Sequence, residues 1–104
     1  MRPTNEAVAD ALDDAAGALE ALGWCQGAFE SVTGKRCALG AIEAACKQQG
    51  AGYVDAHLQM AAEHQLGTHI GIGHFCIPKW NDQPGRTEQQ VLDALRAAAK
   101  EARP

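Results

Sequence analysis

Four cysteines, four histidines and two tryptophan motifs are the residues of this 104-residue chain whose types and spacing could do chemistry. The first candidate is a metal site. His74-Phe75-Cys76 puts two soft ligands two residues apart, on one face if the run is extended, and His57 and His64 lie near each other on a helix that Cys46 could approach. Structural zinc takes four Cys/His ligands, commonly spaced C-x2–4-C or H-x3–5-H. The chain offers one H-x4-H, His69 to His74, and no close cysteine pair. Alternation would also turn His69 away from His74. That spacing fits a metal loosely, and the cysteines read better as small buried hydrophobes. No metal or cofactor is expected.

A nucleophilic thiol is the second candidate. Cys25 beside Gln26, or Cys76 with a histidine and Asn81 or Asp82, can be drawn as Cys/His/Asn catalysis. No nucleophile elbow surrounds either one, and Gln26 follows Cys25 where an oxyanion donor of the papain type would precede it. A phosphate loop fails outright. Gly71-Ile72-Gly73 has no third glycine, no helix expected after it and no GK[ST].

Trp80-Asn81-Asp82 and Trp24-Cys25-Gln26-Gly27 could each form a binding corner, with an indole for stacking and amide or carboxylate groups for hydrogen bonds. Turn chemistry at Pro84-Gly85 favours a structural role for the first: Trp80 plugs the core while Asn81 and Asp82 cap backbone amides. Gln26 likewise reads as a partner for buried backbone. The acidic row Glu6, Asp10, Asp13 and Glu20, with Asp14 at its edge, is either a solvated helix face or a docking surface for a basic partner.

What must position these residues is one small domain. A length of 104 residues allows a single modest core. With 46% apolar residues but only 5% aromatic ones, alanine and leucine fill that core, and both favour helix. The formal charge of −4, with no clustered Lys/Arg run, argues against nucleic acid. No apolar run approaches the ~18 residues of a membrane span, and no signal-peptide core follows Met1. A cytoplasmic protein with reduced thiols is expected.

The expected architecture is all-α, four helices around a buried one. Residues 4–22 show Val8, Leu12, Ala15, Leu19 and Leu22 on one face, with Thr4 as N-cap and Gly23 as stop. Residues 24–36 form a connector anchored by Trp24 and Phe29. Residues 37–49 carry Leu39, Ile42, Ala45 and Cys46 on an apolar face that Ala38 and Ala41 extend. Only a narrow wedge there, Gly40, Glu43 and Lys47, looks wet, so this helix is the predicted centre. A third helix spans 53–65, closed by Gly67. Residues 68–79 alternate like a strand, yet two glycines and Pro78 weaken that reading, and an irregular or short extended segment is expected. Thr87 and Gln90 make a capping box for a last helix running to Ala102.

Trp24-x-Gln26-Gly27, Cys37-Ala38-Leu39-Gly40-Ala41 and Trp80-Asn81-Asp82, the last followed by Thr87 and a leucine-rich helix, form a series. From about Leu19 onward this series resembles a family of small actinobacterial and actinobacteriophage domains of unknown function. The resemblance implies a compact, mostly helical domain from that source. It brings no activity, cofactor or catalytic residue. The function expected is therefore that of a small non-enzymatic binding or regulatory protein acting on a protein partner. A metal-dependent or thiol enzyme is the alternative, and a homo-oligomer could form through the third helix or residues 68–77.

Overall fold

In the computed structural model, which describes residues 3–47, 54–73 and 76–103, the first helix starts at a capped threonine. The Thr4 hydroxyl accepts from the Ala7 amide at 3.0 Å, and α1 runs over Asn5–Leu22. Such a cap satisfies one of four amides that a helix start leaves without partners, and is worth ~1 kcal/mol. Gly23 ends the helix at φ 98°, its amide bonded to Leu19 O. Val8, Leu12, Ala15 and Leu19 are buried as their spacing predicts, and Ala9, Ala11 and Ala16 join them. Leu22, expected on the same face, stands 56% exposed in the last turn.

Among the described residues four further helices follow: α2 (Ala38–Ala45), α3 (Ala56–Ile70), α4 (Ile77–Asn81) and α5 (Glu88–Ala102). The class is mainly α. Among the described residues there is no strand, only isolated bridges, of which two close the 24–36 connector. The Cα radius of gyration, 12.5 Å, is that of a compact domain of this length.

Five helices replace the expected four because the segment before the last one coils. Ile70, read as part of an alternating run, lies four residues beyond buried Leu66 and extends α3 past Gln65. Gly71, at φ 86°, then closes α3, with its amide on Thr68 O at 3.2 Å and the Ile72 amide on Gly67 O at 2.9 Å. That pattern is a Schellman cap. Pro78 sits in the first turn of α4, where a missing amide costs nothing. Glycine and proline here punctuate two helices instead of weakening a strand.

The centre also moves. Helix α2 has eight residues, and its Leu39, Glu43, Ala44 and Ala45 are half-exposed. Residues 48–53, which include the predicted end of this helix and the predicted start of the third, lie outside the described ones. It is α1 that packs against α5, α2 and α3 together. Seven of its side chains and seven on α5 are buried, mostly alanine, which lets helix axes come close. The capping box of α5 forms as read: Thr87 Oγ1 accepts from the Gln90 amide and Gln90 Oε1 from the Thr87 amide, both at 3.1 Å.

Gly40, predicted to face water, is buried. A Cβ built there would lie 2.2 Å from the carbonyl oxygen of Phe29, which itself accepts from the Cys37 amide at 3.2 Å. The connector backbone thus lies directly on α2, and only glycine permits that approach. Gly17, by contrast, is exposed in α1 with nothing within 4 Å of a Cβ. In urea unfolding, Gly40→Ala should destabilise the protein by about 1–3 kcal/mol through overpacking. Gly17→Ala should stabilise it by up to ~1 kcal/mol. Equal effects of one sign would contradict the packing described.

Candidate functional site

Asn81 is the buried polar residue of the core, with no solvent exposure. It arrives there because α4, five residues long, buries Ile77 at one end and Asn81 at the other. Its Oδ1 accepts from the Trp24 indole at 2.7 Å and from the Ala38 amide at 2.9 Å. Its Nδ2 donates to Cys25 O at 3.1 Å and to Asp82 Oδ1 at 3.0 Å. An asparagine side chain has two acceptor lone pairs and two donor protons. All four are used inside the chain.

The neighbouring side chains complete a clasp between segments 55 or more positions apart. Gln26 donates to Asn81 O at 3.0 Å and to Gln83 O at 3.1 Å, and the Gly27 amide donates to Asp82 Oδ1 at 2.9 Å. Ala38 N is one of the unpartnered amides at the start of α2; Gly40 N, another, donates to Cys37 Sγ at 3.3 Å. Asn81 and Cys37 together therefore cap α2. The structure brings Trp24, Gln26, Trp80, Asn81 and Asp82 into one place, where Gln26, Asn81 and Asp82 engage backbone and the Trp24 indole engages Asn81.

Trp80 is half-buried, and the Arg86 guanidinium carbon lies 4.3 Å from its ring centroid. Arg86 Nε also donates to Trp80 O at 3.0 Å, so the cation is held on the ring by its own backbone bond. Beside it opens a cleft of 710 Å³ lined by Ile72, Cys76, Lys79, Trp80, Asp82, Gln83 and Pro84. A smaller one of 290 Å³, lined by Gly27, Ala28, Phe29, Cys37, Pro78 and Asp82, lies on the connector side. Sequence reasoning missed Arg86 as a partner of Trp80. Its place directly after the Pro84-Gly85 turn, which folds the chain back on itself, was the available signal.

The remaining candidates lie apart. His57 and His64 are both exposed on α3, Cys76 is exposed at the start of α4, and His74 lies outside the described residues. Among the described residues, no three His, Cys, Asp or Glu side chains gather as a metal ion would require. Cys25 Sγ lies 3.5 Å from Ala28 O and 3.4 Å from Lys35 O, and its S–H is the donor in both contacts. Burial pushes the Cys37 thiol up, and the Gly40 and Leu39 amides only partly oppose it. Burial likewise raises Cys46 to about 11, helped by Asp55 and Glu63. Both are protonated at neutral pH, which suits packing and capping.

On the far side, the acidic row of α1 meets arginines. Arg103 reaches Asp13 at 2.8 Å, Asp10 at 2.9 Å and Glu6 at 3.8 Å, and Arg96 pairs with Glu20. Exposed pairs of this kind add little to stability. They do bring Asp10 and Asp13 into contact with a cation of the chain's own. A hydrogen bond between the His69 ring and Glu101, at 2.9 Å, ties α3 to α5.

A model of a protein family of unknown function, DUF6197, matches residues 3–101. The chain belongs to that family. The match to DUF6197 runs from the start of α1 to the last residue but one of α5. No curated protein and no solved structure matches the chain. No helix among the described residues is long and apolar enough to cross a membrane.

The Cys46 thiol makes stability depend on alkaline pH. Because the folded state holds this proton up to about 11, the unfolded chain, whose thiol titrates near 8.5, loses it first. The contribution is complete below that value and disappears as pH rises through the folded one. Between pH 8 and 11 the wild type should lose on the order of 2 kcal/mol more than Cys46→Ala, measured by urea unfolding at each pH. Equal slopes would show that Cys46 is not a protected thiol.

Proposed function

We propose that the chain is a small non-enzymatic binding protein that acts through protein–protein contact in the cytoplasm of an actinobacterium or a phage-infected one. The motif resemblance supports that source. The use of all four Asn81 valences inside the chain supports a structural duty for that amide, and with it a binding role over turnover. The observation that carries the reading is the connector loop. It presents Phe29 at 55% exposure and Val32 fully exposed, on a frame held by Ser31, by Lys35 and by the clasp beneath. Ser31 N donates to Lys35 O at 2.7 Å and Ser31 Oγ accepts from Lys35 N at 3.1 Å, so the loop is preorganised. Rigid display of apolar side chains lowers the entropy lost on association.

A protein surface is a better match for Phe29 and Val32 than a nucleic acid, given the charge of −4. A second copy of the chain is one such surface, and sedimentation would show it as a doubled mass. Immobilised wild type and the Phe29→Ser/Val32→Asp double variant test the reading against an actinobacterial lysate. A discrete protein held by the wild type should bind at least roughly tenfold more weakly to the variant, with thermal unfolding unchanged. Identical retained proteins on both would contradict it.

A further inference from the structure

Two cysteines follow the paired residues at the neck of this loop. Trp24 and Arg36 form a parallel bridge: the Arg36 amide donates to Gly23 O at 3.1 Å and the Cys25 amide to Arg36 O at 2.9 Å. In a parallel pair the next residue on each chain shares the register, about 5 Å apart and on the same side. Those residues are Cys25 and Cys37. Cys37 keeps extended backbone, φ −83° and ψ 176°, and follows Arg36, whose carbonyl holds the Cys25 amide; beyond that bond the Asn81 carboxamide, set between Cys25 O and Ala38 N, ends the pairing. Disulfides join Cα atoms about 4.4–6.8 Å apart. The Cys37 thiol also responds to Cys25 as a nearby charge.

Access is provided for. Cys25 is half-buried, and Cys37, although only 4% exposed, lines the 290 Å³ cleft beside Phe29. In the reduced state the two sulfurs do separate work: Cys25 ties the carbonyls of Ala28 and Lys35, and Cys37 caps Gly40.

We propose that Cys25 and Cys37 form a redox-active pair, a covalent modification site that a peroxide-class oxidant closes into a disulfide. The Cys25 thiolate attacks the peroxide; an S–O bond forms, the O–O bond breaks, and the departing hydroxide takes the proton that the Cys25 thiol gave up, leaving sulfenic acid and one water. Cys37 sulfur then attacks the sulfenic sulfur; the S–S bond forms and the S–O bond breaks. The departing hydroxide takes the Cys37 proton as a second water. Two thiols are oxidised by two electrons and one peroxide is reduced to two waters. The bond would draw Cys37 off the Gly40 amide and Cys25 off its two carbonyls, while tethering the base of the loop that carries Phe29 and Val32. Control of partner contact by that tether rests on the binding reading above; the disulfide itself does not.

The experiment uses the wild-type chain, folded, with near-stoichiometric hydrogen peroxide, followed by alkylation and tryptic peptide mapping without reduction. The expected result is an intact-mass loss of about 2 Da, reversed by dithiothreitol, with a Cys25–Cys37 linked peptide as the main product. Cleavage after Arg36 and Lys47 leaves Cys37 and Cys46 in one peptide. Cys46→Ala, which removes that ambiguity, should give the same link in the same yield. Oxidation that ends at exposed Cys76, as a dimer or an over-oxidised thiol, with Cys25 and Cys37 both still alkylated after unfolding, would overturn the proposal. So would a link that disappears in Cys46→Ala.

Discussion

A single carboxamide, taken fully out of water, is what the rest of this structure depends on. Leaving one buried hydrogen-bonding group without a partner costs about 1–3 kcal/mol, and Asn81 has four valences to satisfy. They are satisfied only when an indole, the first amide of α2, the Cys25 carbonyl and the Asp82 carboxylate arrive together. The constraint works in both directions. Helix α4, at five residues, is too short to be stable alone, so its place is set by Ile77 in the core and Asn81 in the clasp. In return the amide holds the start of α2 and the neck of the connector.

The molecule thus has two regions with different physics. One is dry: α1 and α5, lined with alanine and leucine, pressed together and laced outside by Arg96 and Arg103. The other is polar and local in its dependence on backbone: the clasp, the Cys37 cap on α2, and the Phe29 carbonyl lying where a Gly40 side chain would be. The dry half supplies most of the hydrophobic burial. The polar half determines where one loop stands. A loop so held carries Phe29 and Val32 outward, a placement for which packing alone supplies no reason.

The two terminal helices were legible because their signals are local. Thr4, Gly23, Thr87 and Gln90 act within four residues of themselves, and a period of 3.6 marks the faces of α1 and α5. Trp24, Gln26, Trp80, Asn81 and Asp82 could also be singled out by type, and they do converge. Apart from the one between Asn81 and its neighbour Asp82, the bonds of this group could not be read, because each spans some 43 to 57 positions. The same limit explains Gly40: nothing next to it in sequence announces that the Phe29 carbonyl lies above it. Residues 68–79 misled for another reason. A helix ending at Ile70, followed by Gly71 and Ile72, shows period-two alternation at its close, and a helix end, a glycine cap and one short helix together resemble a broken strand. The acidic row was read correctly as a face of α1, but its partners, Arg96 and Arg103, sit more than 70 positions away.

Amide and indole hydrogen exchange, followed by NMR on the folded protein, tests the clasp most directly. If Asn81 Oδ1 holds both protons, the Trp24 indole N–H and the Ala38 amide will exchange only through near-global opening, at a free energy close to that of complete unfolding. Exchange of either proton at the rate of a solvent-exposed group, while α1 and α5 stay protected, would mean that the carboxamide does not join these segments.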